Sequence, residues 1–131
     1  MTRLCSIRGA IRVPQNTGPE ILRSTTELLT AMVRENNIQA TDISSVFFTV
    51  TPDLTAEFPA RAARALGLTD VGLLCASEIA VPGTMGRVLR ILINANLPRY
   101  QSEMKHQYLG ETIHLRPDLQ GVRNDDRSNA I

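Results

Sequence analysis

The sequence predicts an α+β or α/β domain, a β-sheet with one long and one short helix packed on it. Three observations lead there. Short runs rich in Val, Ile, Leu and Phe recur along the chain, bounded by Pro, Gly, Asn and Asp. One long segment carries apolar residues at helical spacing, and one short segment opens on Pro59 and closes on Gly67.

The first strand is expected over residues 4–13, with Leu4, Ser6, Arg8 and Ala10 on one face and Cys5, Ile7, Gly9 and Ile11 on the other. Thr17-Gly18-Pro19-Glu20 then reads as a capping box, Thr17 at the N-cap and Glu20 reaching back. Ile21, Leu22, Leu28, Leu29, Met32 and Val33 follow at helical spacing, and Asn36-Asn37 stops the helix. Residues 45–51 form a β-branched and aromatic strand that Pro52-Asp53 breaks. The short helix spans 58–66, a third strand 71–75, and Pro82-Gly83 turns into a fourth over 87–95. Beyond Pro98 a helical segment is expected around 101–107 and a last strand at 111–115. Residues 1–118 are expected to make the single domain, and 119–131, polar and without periodicity, are expected to be a mobile tail.

The chain has 131 residues, enough for one sizeable core, and only 4% aromatics with no Trp, so that core is aliphatic. A net charge of +1 argues against a nucleic-acid partner. No window approaches the roughly 18–20 apolar residues of a membrane span, and residues 1–5 lack the apolar centre of a signal peptide. The expected location is the cytoplasm, with Cys5 and Cys75 as free thiols.

Arg90 is the anomaly. It interrupts Val88-Leu89-Arg90-Ile91-Leu92-Ile93, a run that reads as a strand buried on both faces. A guanidinium cannot shed its proton, so burying one costs several kcal/mol unless an anion meets it. Arg8 follows an apolar run, Arg116 closes another, and Arg61 and Arg64 stand three apart on the short helix. Several arginines aimed inward point to a small, multiply charged anion. The alternative for Arg90 is an internal salt bridge to Glu78 or Glu103. Arg61 and Arg64 taken singly read as solvated surface, Glu78 as an exposed carboxylate just past a strand end, and Tyr108 as either surface or a hydroxyl donor.

Other chemistry lacks its parts. Cys75 has no His nearby in sequence to make a thiolate nucleophile. His106 and His114 lack metal-ligand spacing. Gly83-Thr84-Met85-Gly86 is not a phosphate-cradling loop. No metal and no cofactor is expected, leaving a cationic pocket with one carboxylate.

Seven features occur in order: Ile7-Arg8-Gly9-Ala10, Thr51-Pro52-Asp53-Leu54, Phe58-Pro59-Ala60, Cys75 with Glu78, Arg90, His106 with Tyr108-Leu109, and Leu115-Arg116-Pro117-Asp118-Leu119. The set resembles the monofunctional, trimeric chorismate mutases of mixed α/β fold. The resemblance implies an α+β homotrimer whose sheets form a pseudo-α/β barrel, with active sites between subunits. The implied reaction is the Claisen rearrangement of chorismate to prephenate, on the way to phenylalanine and tyrosine. Carried over, Arg8 and Tyr108 hold substrate carboxylate, Arg90 meets the ether oxygen, and Glu78 and Cys75 meet the ring hydroxyl. Phe58, Ala60, Leu74 and Leu115 wall the pocket, while Arg64 and Arg116 hold its entrance and the closing tail, with Arg61 nearby. Leu74 replaces the Thr often found at that position, and Arg61 stands where Lys is familiar. Two rivals remain at this stage. One is a trimeric small-acid-binding or imine/enamine deaminase-like protein with an arginine at the subunit cleft. The other is an interaction protein that offers an arginine face to an acidic partner.

Overall fold

The computed structural model describes residues 1–116. Its elements are β1 (Arg3–Arg12), α1 (Gly18–Glu35), β2 (Ile43–Val50), α2 (Ala60–Ala65), β3 (Gly72–Ser77), β4 (Val88–Leu97) and β5 (Gln107–Tyr108). They form one mixed sheet in the order β3-β2-β4-β1-β5. β4 lies at its centre, antiparallel to both β1 and β2, while β3 and β5 add parallel edges. The expected α+β sheet with one long and one short helix is what forms.

Alternation decides what each face does. Cys5, Ile7, Val46, Phe48, Ile91 and Ile93 are at most 2% exposed and face α1, which presents Ile21, Leu28, Leu29 and Met32. Fully burying side chains of this size contributes about 1.5–3 kcal/mol each. Gly9 lets the layers meet, since a Cβ there would fall 2.7 Å from Met32 Sδ and 2.9 Å from Leu28 Cδ1. Asn36 ties the helix end down: it is buried, donating to the Met32 and Lys105 carbonyls and accepting from the Lys105 amide.

Several expectations need correction. Thr17 caps α1 by accepting from the Glu20 amide at 3.3 Å, but the Glu20 carboxylate pairs with Arg23. Residues 111–115, expected as a strand, form the 3-10 turn Gly110–Leu115. Gly110 turns the chain at φ 57°, and the buried Thr112 hydroxyl shares its proton between the Leu109 and Ala10 carbonyls, which ties the turn to β1. The helical segment expected at 101–107 shrinks to the 3-10 turn Gln101–Glu103, and β5 follows it. β5 has two polar residues and no alternation to announce it. A further 3-10 turn, Ala40–Asp42, leads into β2. The motif residues from Pro117 onward and the tail lie outside the described residues.

β4 is not buried on both faces. Ile91, Ile93, Ala95 and Leu97 are covered by the subunit's own core, whereas Arg90, Leu92 and Asn94 are half-buried on the other side. The free-thiol expectation holds. Three strand spacings separate the strands of Cys5 and Cys75, about 14 Å at about 4.8 Å each, too far for a disulfide.

Candidate active site

The sheet register assembles a row of side chains on the face that α1 leaves open. Tyr108 pairs with Ala10, Ala10 with Arg90, Arg90 with Thr49, and Thr49 with Ala76. Glu78 lies two residues beyond Ala76, so it returns to the same face. Its amide donates to the Val50 carbonyl at 2.8 Å, carrying the β2–β3 pairing one step past the strand. Arg90 therefore stands between a phenol and a carboxylate, with only the Ala10 methyl separating it from the phenol.

Arg90 Nε lies 3.8 Å from Glu78 Oε2, beyond hydrogen-bond range. The Thr49 hydroxyl donates to that same oxygen at 2.6 Å. Among the described residues, Arg90 Nε is buried yet finds no acceptor, although 43% of the side chain remains exposed. The two facts are compatible: the tip of the guanidinium reaches out and the inner nitrogen is enclosed. Arg90 and Glu78 line a cleft of about 540 Å³ together with Leu115, Val88 and the loop from Ile79 to Gly86.

Asp53 fixes the start of β4 at the floor of this cleft. It accepts from the Thr51 hydroxyl at 2.5 Å and from the Arg87 amide at 3.1 and 3.0 Å. Arg87 is held at φ 52°, and a Cβ on Gly86 would lie 2.7 Å from Asp53 Oδ2. The Thr51 hydroxyl above all holds the Asp53 carboxyl below its usual range; burial opposes it, and the Arg87 amide and charge add smaller lowering effects.

Arg8 is exposed at the sheet's β5 side, its amide donating to His106 Nδ1 at 3.0 Å. The register sets it beside Leu92, Phe47 and Leu74, one row from Arg90. The half-buried Arg116 lies over the Tyr108 ring at 5.9 Å. Thus Arg8, Tyr108, Arg90, Glu78, Leu115 and Arg116 belong to one face. Contrary to the inward arginines the sequence suggested, none of Arg8, Arg61, Arg64, Arg90 and Arg116 is fully buried. Strand alternation puts Arg8 and Arg90 on the face without a covering layer.

The rest of the expected set lies elsewhere. Cys75 pairs in register with the core residue Phe48 and packs against the core, on the face opposite Arg90. Being three residues from Glu78, it has the wrong parity to join it. Cys75 and Phe58 instead line a second cleft, of about 410 Å³. Phe58 is 69% exposed and Leu74 59% exposed. Ala60 is buried in its own core, so only its neighbours offer surface. Arg61 is tied to Glu57 one helical turn back at 2.5 Å, and Arg64 is exposed on the same helix. The Phe58 amide first, and Arg61 second, lower the Glu57 carboxyl.

Of the two partners considered for Arg90, Glu78 is the one found within ion-pair distance, while Glu103 accepts from the Tyr100 amide. Asp53 and His106 stand in the ordered motifs without a role that the sequence assigns, and Thr49 has no signal in it at all. Their roles come from strand pairing and side chain-to-backbone bonds, and no spacing in the sequence signals either. Among the described residues no group of His, Cys, Asp and Glu has the makings of a metal site, and no helix is long and apolar enough to cross a membrane.

Comparison with known proteins bears on what this face does. The family described as chorismate mutase type I matches residues 4–119. The chorismate mutase AroH of Thermus thermophilus is 46% identical over 118 residues, 89% of this chain and 97% of that protein. The AroH of Bacillus subtilis is 36% identical over 121 residues, 92% of this chain and 95% of its own length. Among solved structures, a chorismate mutase from Clostridium thermocellum superposes with a TM-score of 0.80 at 42% identity, covering 82% of this chain and 96% of that one.

Proposed function

This chain belongs to the type I chorismate mutases, and on that premise we propose how its own residues carry out the reaction. The enzyme isomerises chorismate to prephenate, an intramolecular transfer within aromatic amino acid biosynthesis. The deaminase-like and interaction-protein alternatives are thereby set aside. One C–O ether bond breaks while one C–C bond forms, and nothing enters or leaves. Such a step needs no nucleophile, metal or cofactor. It needs the dianion folded so that its two reacting carbons meet, which is an orientation effect.

In the transition state the ether oxygen gains negative charge as its bond to the ring stretches, and the ring becomes relatively positive. Arg90 Nε–H, enclosed and unspent, donates to that oxygen. Glu78 stands on the ring side of the same cleft. Both contacts strengthen as charge separates, so they bind the transition state better than the substrate. Arg8 and Tyr108 hold substrate carboxylate, with Arg116 above the phenol. These contacts exist in both states and mainly set KM. The carrying observation is a buried, unpaired Nε beside a carboxylate that lies too far away to accept its hydrogen bond.

The enzyme works as a trimer with sites between neighbours. In support, the sheet's second face has no covering layer among the described residues, and Leu4, Phe47 and Leu74 are between 39% and 64% exposed there. The two clefts of one subunit are complementary: one carries Arg90, Glu78 and Leu115, the other Cys75 and Phe58. A neighbour's Cys75, Phe58 and Leu74, backed by its Ala60, complete the wall opposite Arg90. Arg64 guards the entrance from that neighbour, and Arg61, held by Glu57, lies beside it. The enzyme's place is the cytoplasm, where Cys5 and Cys75 stay reduced.

The test follows the loss of chorismate absorbance with and without chelator. Turnover that survives chelation is expected, and activity that disappears with the metal would refute the mechanism.

A further inference from the structure

We propose that Thr49 is a positioning residue whose hydroxyl stops Glu78 from closing onto Arg90, and so keeps the arginine's inner N–H free for the substrate. The inference rests on the roles given above to Arg90 and Glu78. Three observations carry it. Thr49 Oγ donates to Glu78 Oε2 at 2.6 Å, a length typical of a hydroxyl on an ionised carboxylate. That oxygen is also the one facing Arg90 Nε, at 3.8 Å. Among the described residues, the nitrogen is buried without an acceptor.

A long arginine and a glutamate on one sheet face would ordinarily shorten to a charge-assisted bond of about 2.8 Å. Here the carboxylate is drawn to a third group. Thr49 is well suited to hold it. The register sets Thr49 opposite Arg90 on one side and Ala76 on the other, so it lies between the guanidinium and the strand that delivers Glu78. Its β-branched side chain is stiff about χ1 in a strand, and the hydroxyl therefore has little freedom to follow the carboxylate. The Glu78 backbone is fixed from the same direction, its amide bonded to the Val50 carbonyl next to Thr49. Backbone and side chain of Glu78 are thus both anchored to β2, while Arg90 rises from β4. If the acid closed on Nε, the site would lose the donor that meets the developing charge and the carboxylate that faces the ring.

Thr49→Val keeps the shape and removes only the hydroxyl, and Thr49→Ser restores it. Both are compared in the full-length enzyme with Glu78→Gln and with the double variant Thr49→Val/Glu78→Gln, by steady-state kinetics and thermal melting. We expect Thr49→Val to lower kcat about tenfold, the size of losing one hydrogen bond to a charged group. KM should change little and the melting temperature should stay near wild type. Thr49→Ser should recover most of the rate. On the Glu78→Gln background the valine should cost almost nothing more, because Thr49 acts through that carboxylate. Three results would each overturn the inference: full activity in Thr49→Val, no recovery in a folded Thr49→Ser, or an undiminished valine effect in the double variant. Full activity in Glu78→Gln would overturn the role of Glu78 itself, and this inference with it. An impaired Glu78→Gln with a normal Thr49→Val would sink this inference alone.

Discussion

The two faces of the sheet obey different rules. On the α1 side, Ile7, Phe48, Ile91 and Ile93 are at most 2% exposed and pack at the density of a finished core. On the other side the sheet presents Arg8, Phe47, Leu74, Leu92 and Arg90, apolar and cationic side chains mixed, with no covering layer among the described residues. The first face is closed by local chain and carries stability. The second, which lacks a covering layer among the described residues, is the face to which we assign substrate and neighbouring subunits, and there Arg90 Nε keeps its N–H unused among the described residues. Adjacent residues on a strand can thus serve opposite ends, as Leu89 and Arg90 do.

The comparison can be broken from either side. Phe48→Ala should give the largest loss, about 3–5 kcal/mol of stability in denaturant unfolding, because a tightly packed core cannot collapse around the void. Retention of wild-type stability would mean that the α1 face is not the stabilising one. Arg90→Ala should lower kcat by about 10²–10³ while leaving the melting temperature within a few degrees. Arg90→Lys should not restore full activity, since an ammonium lacks the planar donor set. A fully active lysine variant would show that placement of Nε is not what matters.

Arg64→Ala should act mostly on KM, raising it about tenfold with kcat little changed, as fits a contact made equally in ground and transition states. Asp53→Asn probes the seam between the faces. The Asp53 carboxyl is lowered from its ordinary 3.8 in the folded chain. Its contribution is therefore complete above about pH 4 and fades as pH falls toward and through the lowered value. The asparagine variant should melt lower at neutral pH and lose part of the wild type's acid sensitivity in that window. An unchanged acid profile would remove Asp53 from the floor of the cleft. Cys75→Ser should have the smallest effect, less than about threefold in kcat, because a hydroxyl replaces a polar contact. Complete loss with an intact fold would bring back covalent chemistry at the thiol.

Local pattern was enough for the long elements and for naming the arginines. β1 announces itself through alternation, β2 through β-branched and aromatic residues that stop at Pro52, β4 through its apolar run, and α1 through the Thr17 cap and the stop at Asn36. β5 and the turn at Gly110–Leu115 were missed, because two polar residues and a threonine bonded to Ala10 derive their conformation from a strand about a hundred residues away. The same limit applied to the site. Val88-Leu89-Arg90 displays an arginine in an apolar run, but the run alone cannot say which face is finished, so Arg90 read as buried on all sides.

The chain's own order of residues determined the aliphatic core, the alternation that separates it from the charged face, and the ordered motifs that carry the family. Both periodicity and capping act within a few residues, which is why they survive without tertiary information. Only the assembled sheet decided that Thr49, Arg90 and Glu78 share a face, that Cys75 turns away from them, and that Arg90 Nε has no acceptor among the described residues. These relations depend on strand order and register, which are set by the packing of segments far apart in sequence.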